Sequence, residues 1–158
     1  NTRRLEKSLR LQNADLLTEY NLIEADLARP KVKAANFHGK DAYLKIRERE
    51  HQPSYLCTLT MTNNVDANGV ARYPVGTSPI MDTDGNVLVD SEDRRSYITS
   101  IAYGPTIGKN IALGYLPHDY CEVGRELTME YFGEIYPLKV ESIGYRPLYD
   151  QDNEKPRS

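Results

Sequence analysis

Arg4 and Glu6, with Arg10, Gln12 and Asn13 close behind, form the one polar cluster whose side chains could take part in chemistry. A guanidinium can hold a carboxylate through two parallel hydrogen bonds, a geometry Lys cannot copy. An Arg and a Glu two apart on a helix also commonly just flank it, and the residues alone leave both readings open. Other sets fail on spacing. Gly104 to Asn110, GPTIGKN, encloses three residues between its glycines and has Asn after Lys109, whereas a phosphate loop needs four and a Ser or Thr for the magnesium ion. His118 with Cys121, and Asp82 with Asp84 and Asp90, suggest metals, but a structural zinc needs four converging ligands, and the Asp run lacks the Gly and closing Glu of an EF-hand loop. Cys121 beside His118 as a nucleophile pair needs a base and an oxyanion site that sequence does not display, so Cys121 reads as a barrel-loop residue.

The elements that must carry these residues are mostly strands. Leu127, Met129 and Tyr131 alternate with Glu126, Thr128 and Glu130, and Tyr136, Leu138 and Val140 alternate with Pro137, Lys139 and Glu141. That period of two, broken at Gly133, predicts an antiparallel hairpin, with Pro137 marking an edge or a bulge. Ser96–Tyr103 and Lys109–Leu116 are further strands around a turn-forming loop, and Tyr55, Cys57, Leu59 and Met61 alternate as a first strand. Residues 73–81 and 86–90 read as strands about the turn 82–85, after a loop over 62–72. Helices are predicted over 3–17, over a short stretch opened by Asn21 and Glu24 and stopped before Pro30, and over 37–51. The first thirty residues have too little apolar surface to fold alone, so they must lie against the barrel or a neighbouring domain. The tail after Ile143 is expected to fray.

The chain of 158 residues suits one core, and 20 Lys+Arg against 23 Asp+Glu, net −3, gives no electrostatic reason to expect nucleic acid or an anionic membrane as partner. No apolar run approaches the roughly 20 residues needed to span a bilayer, and the start NTRRLEKSLR lacks the apolar core of a secretory signal, so the expected location is cytoplasmic. Opening on Asn1 suggests a processed product or a piece of a longer protein. Twelve Tyr, two Phe and no Trp put many ring hydroxyls in need of a partner. Cys57 and Cys121 are expected to be reduced thiols rather than a disulfide.

The order T-S-x-x-Y-x-P-T-x-x-K-x-I-A-x-G-Y-L-P at Thr99–Pro117, then V-G-R-E-L at 123–127 and Y-P-L-K-V at 136–140, resembles the C-terminal barrel of the glycine-cleavage aminomethyltransferase (T-protein) family. Arg4-Leu5-Glu6, Ile23-Glu24-Ala25 and Phe37-His38-Gly39-Lys40 resemble that family's R-L-E, P-x-E-A-G-L and F-x-G-K segments, so nearly the whole chain is matched. The resemblance implies a helical connector over 1–52, a six- to seven-strand antiparallel barrel over 53–148 and a flexible tail over 149–158. It implies tetrahydrofolate as cofactor, with Arg4, Glu6 and Gln12 beside it and Arg4 gripping a glutamyl carboxylate. The family's folate-cradling region would precede Arg4, so the implied partners are an upstream folate-binding domain or chain and a small-molecule methyl donor. No catalytic or metal-binding residue is expected within the segment, which would close the cleft and be inactive alone. In many family members the eighth residue after the R-L-E arginine is Tyr or Trp, packed near the pterin; here it is Gln12. With R-L-Q-N-A-D-L at 10–16 and R-R-S-Y-I-T-S at 94–100, this departure looks like the branch of folate-dependent O-demethylases acting on aryl methyl ethers. The competing reading is a free-standing barrel subunit docking on a separate catalytic chain.

Overall fold

The computed structural model describes residues 2–152, 154 and 155. Six strands, β1 (Ser54–Met61), β2 (Ile80–Met81), β3 (Ile98–Gly104), β4 (Lys109–Pro117), β5 (Glu126–Tyr131) and β6 (Glu134–Ile143), form one antiparallel sheet in the order β2-β5-β6-β1-β4-β3. The sheet curls until its ends meet. Ile98 N–H donates to Ser78 O at 2.8 Å, Ile80 N–H to Ser96 O at 3.0 Å, and Pro79 bridges Tyr97. The fold is therefore mainly β, six antiparallel strands in a curled barrel with few short helices.

The hairpin of β5 and β6 follows from its turn. Tyr131 pairs with Glu134, and the intervening Phe132 and Gly133 have φ of 52° and 76°, the left-handed pair a two-residue connection needs to match strand twist. Pro137 lies on neither an edge strand nor a bulge: β6 runs between β5 and β1. It sits where the β1 ladder ends, opposite Leu138, and Pro137 O still accepts from Thr62 N–H at 3.2 Å. The bulge lies at Glu141, where the register shifts between Thr58 and Leu59.

Inside the curl Leu59, Ile80, Ile98, Leu116, Leu127, Met129, Leu138 and Val140 pack as the main core. Cys57 and Cys121 are both free, their sulfurs 3.8 Å apart at the edge of this core. A second core lies on the outer face, where Leu5 and Ala25 cover Leu56, Ile111, Leu113 and Tyr115. The first thirty residues thus lie against the barrel.

The N-terminal layer is less helical than the leucine spacing predicts. Helix α1 covers only Thr2–Glu6, because Ser8 turns to φ 53° and the Asp15 carboxylate then takes the Leu11 N–H at 2.8 Å, organising residues 11–16 as a loop. The arrangement expected at Asn21 is present: its Oδ1 accepts from Ile23 and Glu24 N–H at 2.8 and 3.1 Å, and Glu24 Oε2 accepts from Asn21 N–H at 2.8 Å. It caps only a turn, since Asp26 adopts φ 51°. Helix α2 is Lys40–Arg47, half the predicted span. Of residues 73–90 only Ile80–Met81 is strand, Val87 and Val89 adding single bridges, because two prolines and Thr77 at φ 79° interrupt the ladder. Leu148 and Tyr149 N–H both donate to Glu6 O at 3.1 Å, and Lys7 pairs with Asp150 at 2.8 Å, so the start of the tail is tied to α1.

Candidate functional site

The residues singled out in the sequence sit where α1 and the 9–27 loop meet β3 and β4. Arg4, on α1, donates from Nη1 to Asp15 Oδ2 at 2.7 Å and from Nη2 to Ser100 Oγ at 2.7 Å. Asp15 has no solvent exposure and also accepts from Thr99 Oγ1 at 2.5 Å. A buried carboxylate is costly unless paired and hydrogen-bonded, and Arg4 with the loop amides supplies both. Glu6, also buried, takes the Thr106 N–H at 2.7 Å and the Thr106 hydroxyl at 3.2 Å, fixing the loop between β3 and β4. That loop is the GPTIGKN stretch, so its backbone serves the fold. Gln12 is exposed, and its amide has no hydrogen-bond partner among the described residues.

Gln12, Asn13, Leu16, Leu17, Tyr20, Leu22 and Tyr115 line a cavity of about 360 Å³, within the range of small-molecule sites. Its floor is a stacked pair of rings, Tyr20 on Tyr115, with centroids 3.5 Å apart and planes within 2°. Tyr115 donates its hydroxyl to Asp15 O at 2.7 Å, which joins the floor to the Arg4 cluster. Burial first, then nearby acidic groups, raises both phenols well above their ordinary pKa, so they stay neutral. Asn13, at φ 63°, holds the rim in the left-handed conformation that Asn tolerates.

A second polar knot lies under Tyr20 and was not legible in the sequence. Arg94, its guanidinium 4.6 Å over the Tyr20 ring, donates to Glu24 and, from Nε at 2.8 Å, to Asp90 Oδ2. Both carboxylates are almost wholly buried. Burial alone would lower the Arg94 pKa, but the hydrogen bonds it donates to Glu24 and Asp90 outweigh it and the value rises. Burial likewise opposes ionisation of Asp90, yet the Ser54 hydroxyl and the Arg94 groups hold its carboxyl below the usual range. The capping residues Asn21 and Glu24 were readable; that Arg94 reaches back seventy residues to Glu24 was not, since no local pattern announces it. Among the described residues no three His, Cys, Asp or Glu side chains converge as a metal site.

The cavity is walled by amides and stacked rings and also lined by the exposed Leu22 and Leu27. Human mitochondrial dimethylglycine dehydrogenase is 30% identical over 89% of this chain and 15% of its own length. The aminomethyltransferase of Desulfitobacterium hafniense strain DCB-2 is 30% identical over 88% of this chain and 34% of its own. The crystal structure of the glycine cleavage system aminomethyltransferase T from Bartonella henselae superposes with a TM-score of 0.74 at 24% identity, over 94% of this chain and 37% of that one. The chain thus spans about a third or less of the relatives it matches. Residues 57–150, more than half of the chain, match the glycine cleavage T-protein C-terminal barrel domain, and the chain belongs to that family.

Proposed function

We propose that the chain is the cleft-closing C-terminal part of a tetrahydrofolate-dependent enzyme that transfers a methyl or aminomethyl unit, completed by an upstream folate-binding domain or chain. The single observation that carries this is the open half-site floored by Tyr20 and Tyr115 in a member of the T-protein barrel family. Its residues fit an amide-edged heterocycle seated against the edge of the Tyr20 ring, whose faces Tyr115 and Arg94 cover, with Gln12 and Asn13 side chains for its polar rim. Bound tetrahydrofolate would supply N5 as acceptor of the one-carbon unit. The chain's own work is positioning and exclusion of water. Gln12 faces the cofactor directly. Arg4 and Glu6, committed to Asp15, Ser100 and Thr106, hold the loop that presents Gln12. The exposed leucines and Phe37 receive the upstream region and dry the cleft.

Gln12, standing where the family resemblance implies an aromatic ring, favours a second reading for the donor, an aryl methyl ether in place of an aminomethyl carrier. A calorimetric titration of tetrahydrofolate into this chain, and into the chain joined to its folate-binding partner, tests the division of labour. Methyl transfer is expected only in the joined form, which should also bind tetrahydrofolate far more tightly than this chain alone. Turnover above background by this chain alone would overturn the proposal.

A further inference from the structure

Beside the cavity, on the opposite side of Leu16 and Leu27, lies a second cleft of about 570 Å³ lined by Leu9, Arg10, Asp26, Arg29, Tyr145 and Arg146. Arg10 is its distinctive residue. Its side chain is only 6% exposed, yet Nε and Nη2 are buried with no hydrogen-bond partner among the described residues. These two atoms form the side-on fork that grips a carboxylate through two parallel bonds. A buried guanidinium missing both costs free energy, and burial accordingly pulls the Arg10 pKa below its ordinary value, with Asp26 only partly opposing. The carboxylate at hand does not close the fork: Asp26 Oδ2 stands 3.9 Å from Nη2 and instead accepts from Tyr145 N–H at 2.6 Å. Arg29 and Arg146 add two more cations, while Leu9, Leu16, Leu27, Pro30 and Tyr145 make the remaining wall apolar.

We propose that this cleft binds a small amphipathic carboxylic acid, its carboxylate on the Arg10 fork and its apolar body along Leu9, Leu27 and Tyr145. Asp26 is a placeholder for the ligand carboxylate. It is half exposed, and the Tyr145 ring 5.2 Å from the guanidinium lies near the surface, so either can swing aside to admit the acid. The site is separate from the Tyr20–Tyr115 cavity and stands whether or not that cavity takes folate.

Two acids probe the two sources of such a carboxylate: p-aminobenzoyl-L-glutamate for a cofactor tail, 4-methoxybenzoate for an aryl acid substrate. Each is titrated into the chain while the Arg10 Nε–Hε resonance is followed by NMR. At least one is expected to shift that resonance. The Arg10→Gln variant should bind it roughly tenfold or more weakly, and Asp26→Asn, which removes the competing charge but keeps an acceptor for Tyr145 N–H, should bind it more tightly. No shift with either acid, equal affinity in Arg10→Gln, weaker binding in Asp26→Asn, or displacement by inorganic phosphate at equal concentration would each overturn the proposal. If Arg10→Gln does not fold, the Asp26→Asn comparison and the resonance shift decide alone.

Discussion

Arg94 ties together what the sequence shows only in pieces. Glu24 and Asp90 are each nearly sealed from solvent, and the one cation between them also caps the Tyr20 ring. Replacing it with Met keeps the apolar stem but leaves two buried carboxylates uncompensated. The expected loss in Arg94→Met is about 3–5 kcal/mol, read as the fall in unfolding free energy by urea at pH 7. The same knot sets an acid limit. Asp90 is held below the ordinary carboxylate range, so its contribution is fully present above about pH 4 and is lost as pH falls through its lower folded value. Melting temperatures from pH 7 to pH 2 should therefore drop steeply only below about pH 4, and less steeply in Asp90→Asn. If Asp90→Asn drops as steeply as the parent, Asp90 carries none of the acid limit. At this scale the sequence was partly readable. Residue type flagged Arg4, Glu6 and Gln12, but type cannot distinguish a guanidinium facing a ligand from one bonded to Asp15 and Ser100, because that depends on a partner ninety-six residues away.

Elements were legible where local chemistry decides them. The hairpin of β5 and β6 and the β3–β4 loop carry their own alternation and left-handed turn residues, so their strands match the predicted spans within a residue or three. Residues 9–30 were misread because Asp15 takes the Leu11 N–H and the Thr99 hydroxyl of β3, which periodicity does not record, and 73–79 because two prolines and Thr77 at φ 79° interrupt the ladder. Closure of the curl depends on one such contact. Gly114, on β4 opposite Ile98, sits where a Cβ would lie 2.9 Å from Tyr97 O and 2.7 Å from Ile80 Cδ1. The methyl end of Ile80 can yield; the Tyr97 carbonyl, close to the junction of the sheet's ends, cannot without opening it. Gly114→Ala is expected to cost about 1–3 kcal/mol and to speed amide exchange at Ile80 and Ile98, the donors that join the two ends. Loss of stability with those two amides still protected would place the strain elsewhere.

The whole molecule is organised by a barrel wall with two apolar faces. β4 is buried at every position after Lys109, and β1 at all but Tyr55, so neither follows the alternation of a strand with one wet side. Inward side chains pack the curl, while Leu56, Ile111, Leu113 and Tyr115 face outward onto Leu5, Ala25 and Tyr20. The N-terminal layer is thus part of the core, although its sequence looks like a connector. It is also held by polar links, among them Arg4 to Ser100, Arg94 to Glu24, and Leu56 N–H to Glu24 O at 2.9 Å. A layer joined through both apolar and charged contacts should unfold together with the wall it covers. Removing residues 1–26 would expose the outer face and take Glu24 away from Arg94. The shortened chain is expected to lose its cooperative thermal transition, bind a hydrophobic dye and elute as aggregate. Should it melt sharply as a monomer near the parent's temperature, the outer core would be dispensable and the barrel an independent unit.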